Sequence, residues 1–194
     1  MTIDNYGPLI GDPTTGANIS VAAFGDPVRL AIIDLDARIQ DINLGLSNTI
    51  RKLNDDTVTN SASLHIDSEL VLPVLANVQY KLEAFIIYLV PTANDMALGW
   101  AMSDPSITAL WTPNAMVPAG TTGIDGNTDH RQFTNASTPT IGGAGATQLA
   151  AKPLGIVNGG NVDGTIAFRF AEGTAGASTS AVVKAGSWIS VTQI

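Results

Sequence analysis

The sequence predicts a mainly β protein in three parts. An N-terminal arm covers residues 1–25, a single trimeric coiled-coil helix covers 26–54, and an antiparallel jelly-roll-like β-sandwich covers 55–194. Three observations lead there. A stripe of aliphatic residues recurs at alternating intervals of four and three between Val28 and Leu53. After Asn54 the apolar period switches to two. The chain has 19 glycines, 10 prolines and no cysteine, a composition that suits many short strands joined by tight turns without disulfide staples.

The arm carries scattered apolar anchors, Ile3, Tyr6, Leu9, Ile10, Val21 and Phe24, with no period among them. Tyr6, Leu9, Ile10 and Phe24 are the expected docking contacts, because so many bulky apolar groups suit a segment that orders against a partner; a frayed leader is the plainer expectation. Asp26-Pro27 starts the helix, with Asp at the N-cap and Pro at the first helical position. Val28, Ile32, Leu35, Ile39, Ile42, Leu46, Thr49 and Leu53 form a heptad seam and are the expected oligomerisation residues. The seam leaves dimer and trimer open. Further apolar residues beside it, Leu30, Ile33, Leu44 and Ile50, widen the buried surface toward three strands.

Strands are expected near 56–60, 68–74, 77–90, 95–103, 107–112, 131–135, 147–157, 163–171, 178–184 and 187–193, each bounded by turn residues. In the longest, Val78, Tyr80, Leu82, Ala84, Ile86 and Tyr88 share an apolar face. The opposite face begins polar at Gln79, Lys81 and Glu83 and turns apolar at Phe85, Ile87 and Leu89, so a second cover is expected over that end. Residues 113–147 read as loop-rich, and a loop of that length is functional or mobile.

Charge and motifs exclude several functions. The net charge of −8 disfavours nucleic acid as a partner, since phosphate binding needs a basic surface. No apolar run approaches the roughly 20 residues of a spanning helix, and the first twenty residues lack the pattern of a secretory signal. Without cysteine there is no thiol catalysis, and synthesis in a reducing cytoplasm is expected. No Gly-x-Ser-x-Gly elbow occurs, and the glycine-rich run at 142–147 lacks the Lys-Ser/Thr of a phosphate loop. No catalytic residue, cofactor or metal is therefore expected. Asp125, Asn127, Asp129 and His130 echo the opening of a calcium loop, but His130 stands where Gly is needed and no acidic twelfth position follows. They are expected on an outward-facing loop surface. Trp100 and Trp111 read as core residues, with sugar stacking as the alternative.

The β-region motifs resemble those of virion appendage proteins from phages of actinobacteria: minor tail, short tail-fibre or head-fibre/decoration proteins with a C-terminal β knob. The resemblance rests on a threonine-rich strand at 57–59, an acidic turn at 67–69, the Leu-x-Leu-Pro run at 70–73, the Tyr- and Glu-bearing strand at 80–88 and the Lys-x-Gly-Ser-Trp run at 184–188. It covers roughly 55–104 and 160–194. It implies a non-enzymatic homotrimer in a virion, docked on other tail or capsid proteins by its N-terminal segment. A host cell-surface glycan is a further partner implied for a tail fibre. A capsid decoration protein without a receptor, and a glycan-degrading spike, stay open beside the tail-fibre reading.

Overall fold

The computed structural model describes residues 47–118, 124–174 and 179–194, all of which belong to the unit Gly45–Ile194. The described elements are fifteen strands. The first eight are β1 (Asn48–Arg51), β2 (Asp56–Thr59), β3 (His65–Val74), β4 (Gln79–Leu89), β5 (Met96–Met102), β6 (Thr108–Thr112), β7 (Ala115–Pro118) and β8 (Ile124–Asp129). The rest are β9 (Phe133–Thr134), β10 (Thr140–Ile141), β11 (Leu149–Ala151), β12 (Leu154–Asn158), β13 (Gly164–Glu172), β14 (Ser180–Val183) and β15 (Trp188–Gln193).

They pair antiparallel into three sheets. The large sheet runs β1-β15-β4-β12-β6-β9, and the far half of β4 adds β11 on one side and β14, backed by β2, on the other. A second sheet runs β10-β5-β13-β3, and β7 pairs with β8 alone. Sheets of nine, four and two strands depart from the ten-strand, jelly-roll-like sandwich that the alternation suggested.

The coiled-coil expectation is overturned. No helix occurs among the described residues, and the stretch expected to carry the helix to Leu53 contains strand β1. The reason is pairing. Asn48 to Arg51 lie in register with Val191 to Trp188, which gives the backbone groups facing β15 their ladder partners. Ile50 packs against the core, while Thr49 faces outward and donates its hydroxyl to Ser190 Oγ at 2.8 Å. Leu53 is 77% exposed, so neither it nor Thr49 sits in a buried seam. The other seam residues, Val28, Ile32, Leu35, Ile39, Ile42 and Leu46, and the arm residues Tyr6, Leu9, Ile10 and Phe24, lie outside the described residues.

The inner faces of the two larger sheets share one core. Strand β4 supplies Tyr80, Leu82, Ala84, Ile86 and Tyr88 at every second position, as alternation requires. Strands β5 and β13 answer with Leu98, Trp100, Ile166, Phe168 and Phe170. Full burial of side chains of this size contributes about 1.5–3 kcal/mol each. The outer positions of β4 do not become buried at its far end: Phe85, Ile87 and Leu89 stay half-exposed.

Candidate functional site

The segment expected as a loop surface is largely ordered β-structure. Ala115 pairs with Asp129 and Met116 with Thr128, so Asp125, Asn127 and Asp129 belong to strand β8 and His130 follows it. The side chain of Asp125 lies outside the described residues, and Asn127 is exposed. Asp129 is buried, and its carboxylate is occupied by one neighbour. Arg131 donates its backbone N–H at 2.9 Å and its Nε at 3.0 Å to Oδ1, and its Nη2 at 2.8 Å to Oδ2. That guanidinium holds the Asp129 carboxyl below its ordinary range. His130 Nδ1 lies 2.6 Å from Asn114 Oδ1, and Asn114 Nδ2 donates to the Lys152 carbonyl at 3.1 Å. Asn114 adopts φ 42°, a left-handed conformation that Asn tolerates, and so forms the corner between β6 and β7. The acidic run thus braces a hairpin. No group of three or more His, Cys, Asp or Glu side chains among the described residues is placed to hold a metal ion.

Trp100 and Trp111 are core residues, 1% and 2% exposed, and offer no face to a sugar. Trp111 Nε1 donates to the Thr134 carbonyl at 3.1 Å.

The surface that stands out is the outer face of the large sheet. One rung crosses five strands as Thr192, Lys81, Ile156, Leu110 and Thr134. The next crosses Thr49, Ser190, Glu83, Leu154 and Thr112. Leu110, Leu154 and Ile156 are 46%, 43% and 37% exposed and adjoin one another across β6 and β12. Lys81 and Glu83 pair at 3.0 Å and cancel each other's charge. Phe85 lies beneath the Lys152 ammonium, 5.9 Å from the ring centre. A recess at the β1 side of this face is lined by Thr49, Arg51, Glu83, Trp188 and Ser190. Sequence reasoning foresaw apolar outer positions on β4 but not the pair on β12, because Leu154 and Ile156 show their face only once β12 is placed between β4 and β6.

No family model and no curated protein matches the chain. Among solved structures it is similar to a chain of infectious bursal disease virus, Gt strain, with 10% identity and a TM-score of 0.22, over 76% of this chain and 41% of that one. For the Gx strain of the same virus the identity is 11% and the TM-score 0.21, over 76% and 40%. The chain therefore matches about two-fifths of the length of those proteins. At that TM-score neither likeness carries an argument about fold or function.

Proposed function

We propose that the protein is a non-enzymatic structural component of a phage virion, a short homotrimeric tail-fibre or minor tail protein. In this reading the segment 1–25 docks on neighbouring virion proteins and the β unit assembles with copies of itself. The observation that carries the assembly is the outer face of the large sheet. A chain with net charge −8 repels its own copies, yet the described part of this face carries no excess negative charge: Lys81 and Glu83 neutralise one another beside the contiguous Leu110, Leu154 and Ile156, and Arg51 and Lys152 add positive charge. A second copy can seat there without stacking like charges, and burying that patch supplies the driving force. The virion setting is supported by the resemblance of the β-region motifs to actinobacterial phage appendage proteins.

Light scattering tests the assembly: a mass near three times 20.1 kDa is expected at micromolar concentration. The double variant Leu110→Asp/Ile156→Asp alters only exposed positions, so it should keep the native circular dichroism and run as a monomer. A monomeric wild-type chain overturns the reading. Immunogold labelling of virions then separates the sites. Label at the tail supports the tail-fibre reading, and label over the head replaces it with capsid decoration.

A further inference from the structure

A charged cluster with no part in the surface above lies where β1 runs out against β3. Lys52 is 2% exposed and Asp67 is fully buried. Lys52 Nζ lies 2.7 Å from Asp67 Oδ2 and 3.9 Å from Glu69 Oε2. Two features make this more than an ordinary ion pair. First, Asp67 Oδ2 has no partner in hydrogen-bond geometry despite the 2.7 Å separation, so the amine approaches the carboxyl closely without a directed bond. Second, the backbone is built to force that approach. On β3 the pairing with β13 jumps from Val71 opposite Ala167 to Ile66 opposite Arg169, so residues 67–70 bulge out of the ladder. A bulge re-aims side chains, and this one carries both Asp67 and Glu69 to Lys52. Lys52 is fixed in turn, its N–H donating to the Ser187 carbonyl at 2.8 Å and its own carbonyl accepting from Gly186 N–H at 2.9 Å.

We propose that Lys52 and Asp67 condense into an intramolecular isopeptide bond, with Glu69 carrying the proton. Glu69 lies at the water-facing rim, held by Leu53 N–H at 2.6 Å, Asn54 N–H at 3.2 Å and Asn54 Nδ2 at 2.7 Å. Its Oε2 is 3.9 Å from the lysine ammonium, so through one water it takes a proton from that ammonium and frees the amine lone pair. The amine attacks the Asp67 carboxyl carbon, forming the C–N bond. Glu69 passes that proton to one carboxyl oxygen, takes a second proton from the attacking nitrogen and delivers it to the same oxygen; the C–O bond breaks, and one water leaves. Ammonium plus carboxylate become one neutral amide and one water, so no oxidant, metal or co-reactant is needed. Two conditions favour the step. Reactants held in such contact behave as though at about 10⁵–10⁸ M. Burial penalises both charges and not the amide that replaces them.

The full chain is expressed, purified and weighed after denaturation. The expected mass is short of the sequence mass by one water, and proteolysis followed by tandem mass spectrometry should recover a branched peptide joining Lys52 to Asp67. Lys52→Arg keeps the charge but should show the full mass. Glu69→Gln should retain the native circular dichroism while condensation slows by about 10²–10⁴-fold, the usual loss on removing a general base. Because the mass is read on denatured chains, a poorly folding variant does not obscure the wild-type result. A wild-type chain of full mass after prolonged incubation overturns the proposal. So does a lost water that maps to a succinimide at the Asp-Gly steps 125–126 or 163–164.

Discussion

Trp100 and Trp111 meet edge to face across the core, ring centres 6.0 Å apart and planes at 85°. Trp100 comes from the four-stranded sheet and Trp111 from the nine-stranded one, so this contact joins the two sheets. Phe168 extends it, 5.6 Å from Trp100. Trp100→Ala should cost about 3–5 kcal/mol, the range for deleting a buried large aromatic. Urea unfolding should show the midpoint fall sharply, with the intact Trp111 reporting a less ordered environment. A loss below about 1 kcal/mol would mean that the sheets are held elsewhere.

Asp129 and Arg131 give a prediction on the acid side. The guanidinium and its hydrogen bonds depress the Asp129 carboxyl in the folded state, from an ordinary value of 3.8. Stability from this pair is therefore present above that value and is lost as the pH falls through the depressed one. Asp129→Asn should destabilise the protein by about 1.5–3 kcal/mol at neutral pH, the usual worth of hydrogen bonds to a charged group. Unfolding midpoints of variant and wild type should converge in strong acid.

Tyr88 gives the alkaline counterpart. Its hydroxyl donates to the Gly142 carbonyl at 2.9 Å, and burial pushes its ionisation well above the ordinary 10.0. The unfolded chain ionises first, so stability is full below pH 10.0 and declines as the pH rises beyond it. Phenolate absorbance should appear together with loss of structure. Tyr88→Phe should remove that share of the alkaline decline, at a cost of about 0.5–1.5 kcal/mol at neutral pH from the lost bond.

Gly155 is held between two strands. A Cβ placed there would lie 2.4 Å from the Leu110 carbonyl oxygen and 2.7 Å from Trp111 Cβ. Gly155→Ala should cost about 1–3 kcal/mol through forced displacement of β6. Amide hydrogen exchange should show the loss of protection concentrated in β6 and β12.

How far these features could be read in advance depends on what carried the signal. Alternation placed β3, β4, β13 and β15 within a few residues, because each has a long buried face and a period of two. Strand β1 was hidden. Asn-Thr-Ile-Arg is too short to show a period of its own, and Ile50 and Thr49 fit a heptad stripe equally well. Only pairing with β15, far along the chain, decides the matter. The β7–β8 hairpin was concealed by Pro118, Gly126 and three Asx residues, which read as turn formers. Lys52 gave no signal, and Asp67 read only as part of an acidic turn at 67–69. Asp67 is out of phase with Leu70, Leu72 and Val74, and only the bulge in β3 turns it inward.

The strand order also sets a timetable. Strand β15 lies between β1 and β4, and Ser47 Oγ meets Ser190 Oγ at 2.6 Å across 143 positions of sequence. A ribosome adding about 5–20 residues per second emits β1 many seconds before its neighbour exists. Until then β1 and one edge of β4 stand open, and closing so long a loop is slow. Nascent chains are thus exposed to mispairing with one another throughout that interval, and the emergence of β15 is the event that ends it.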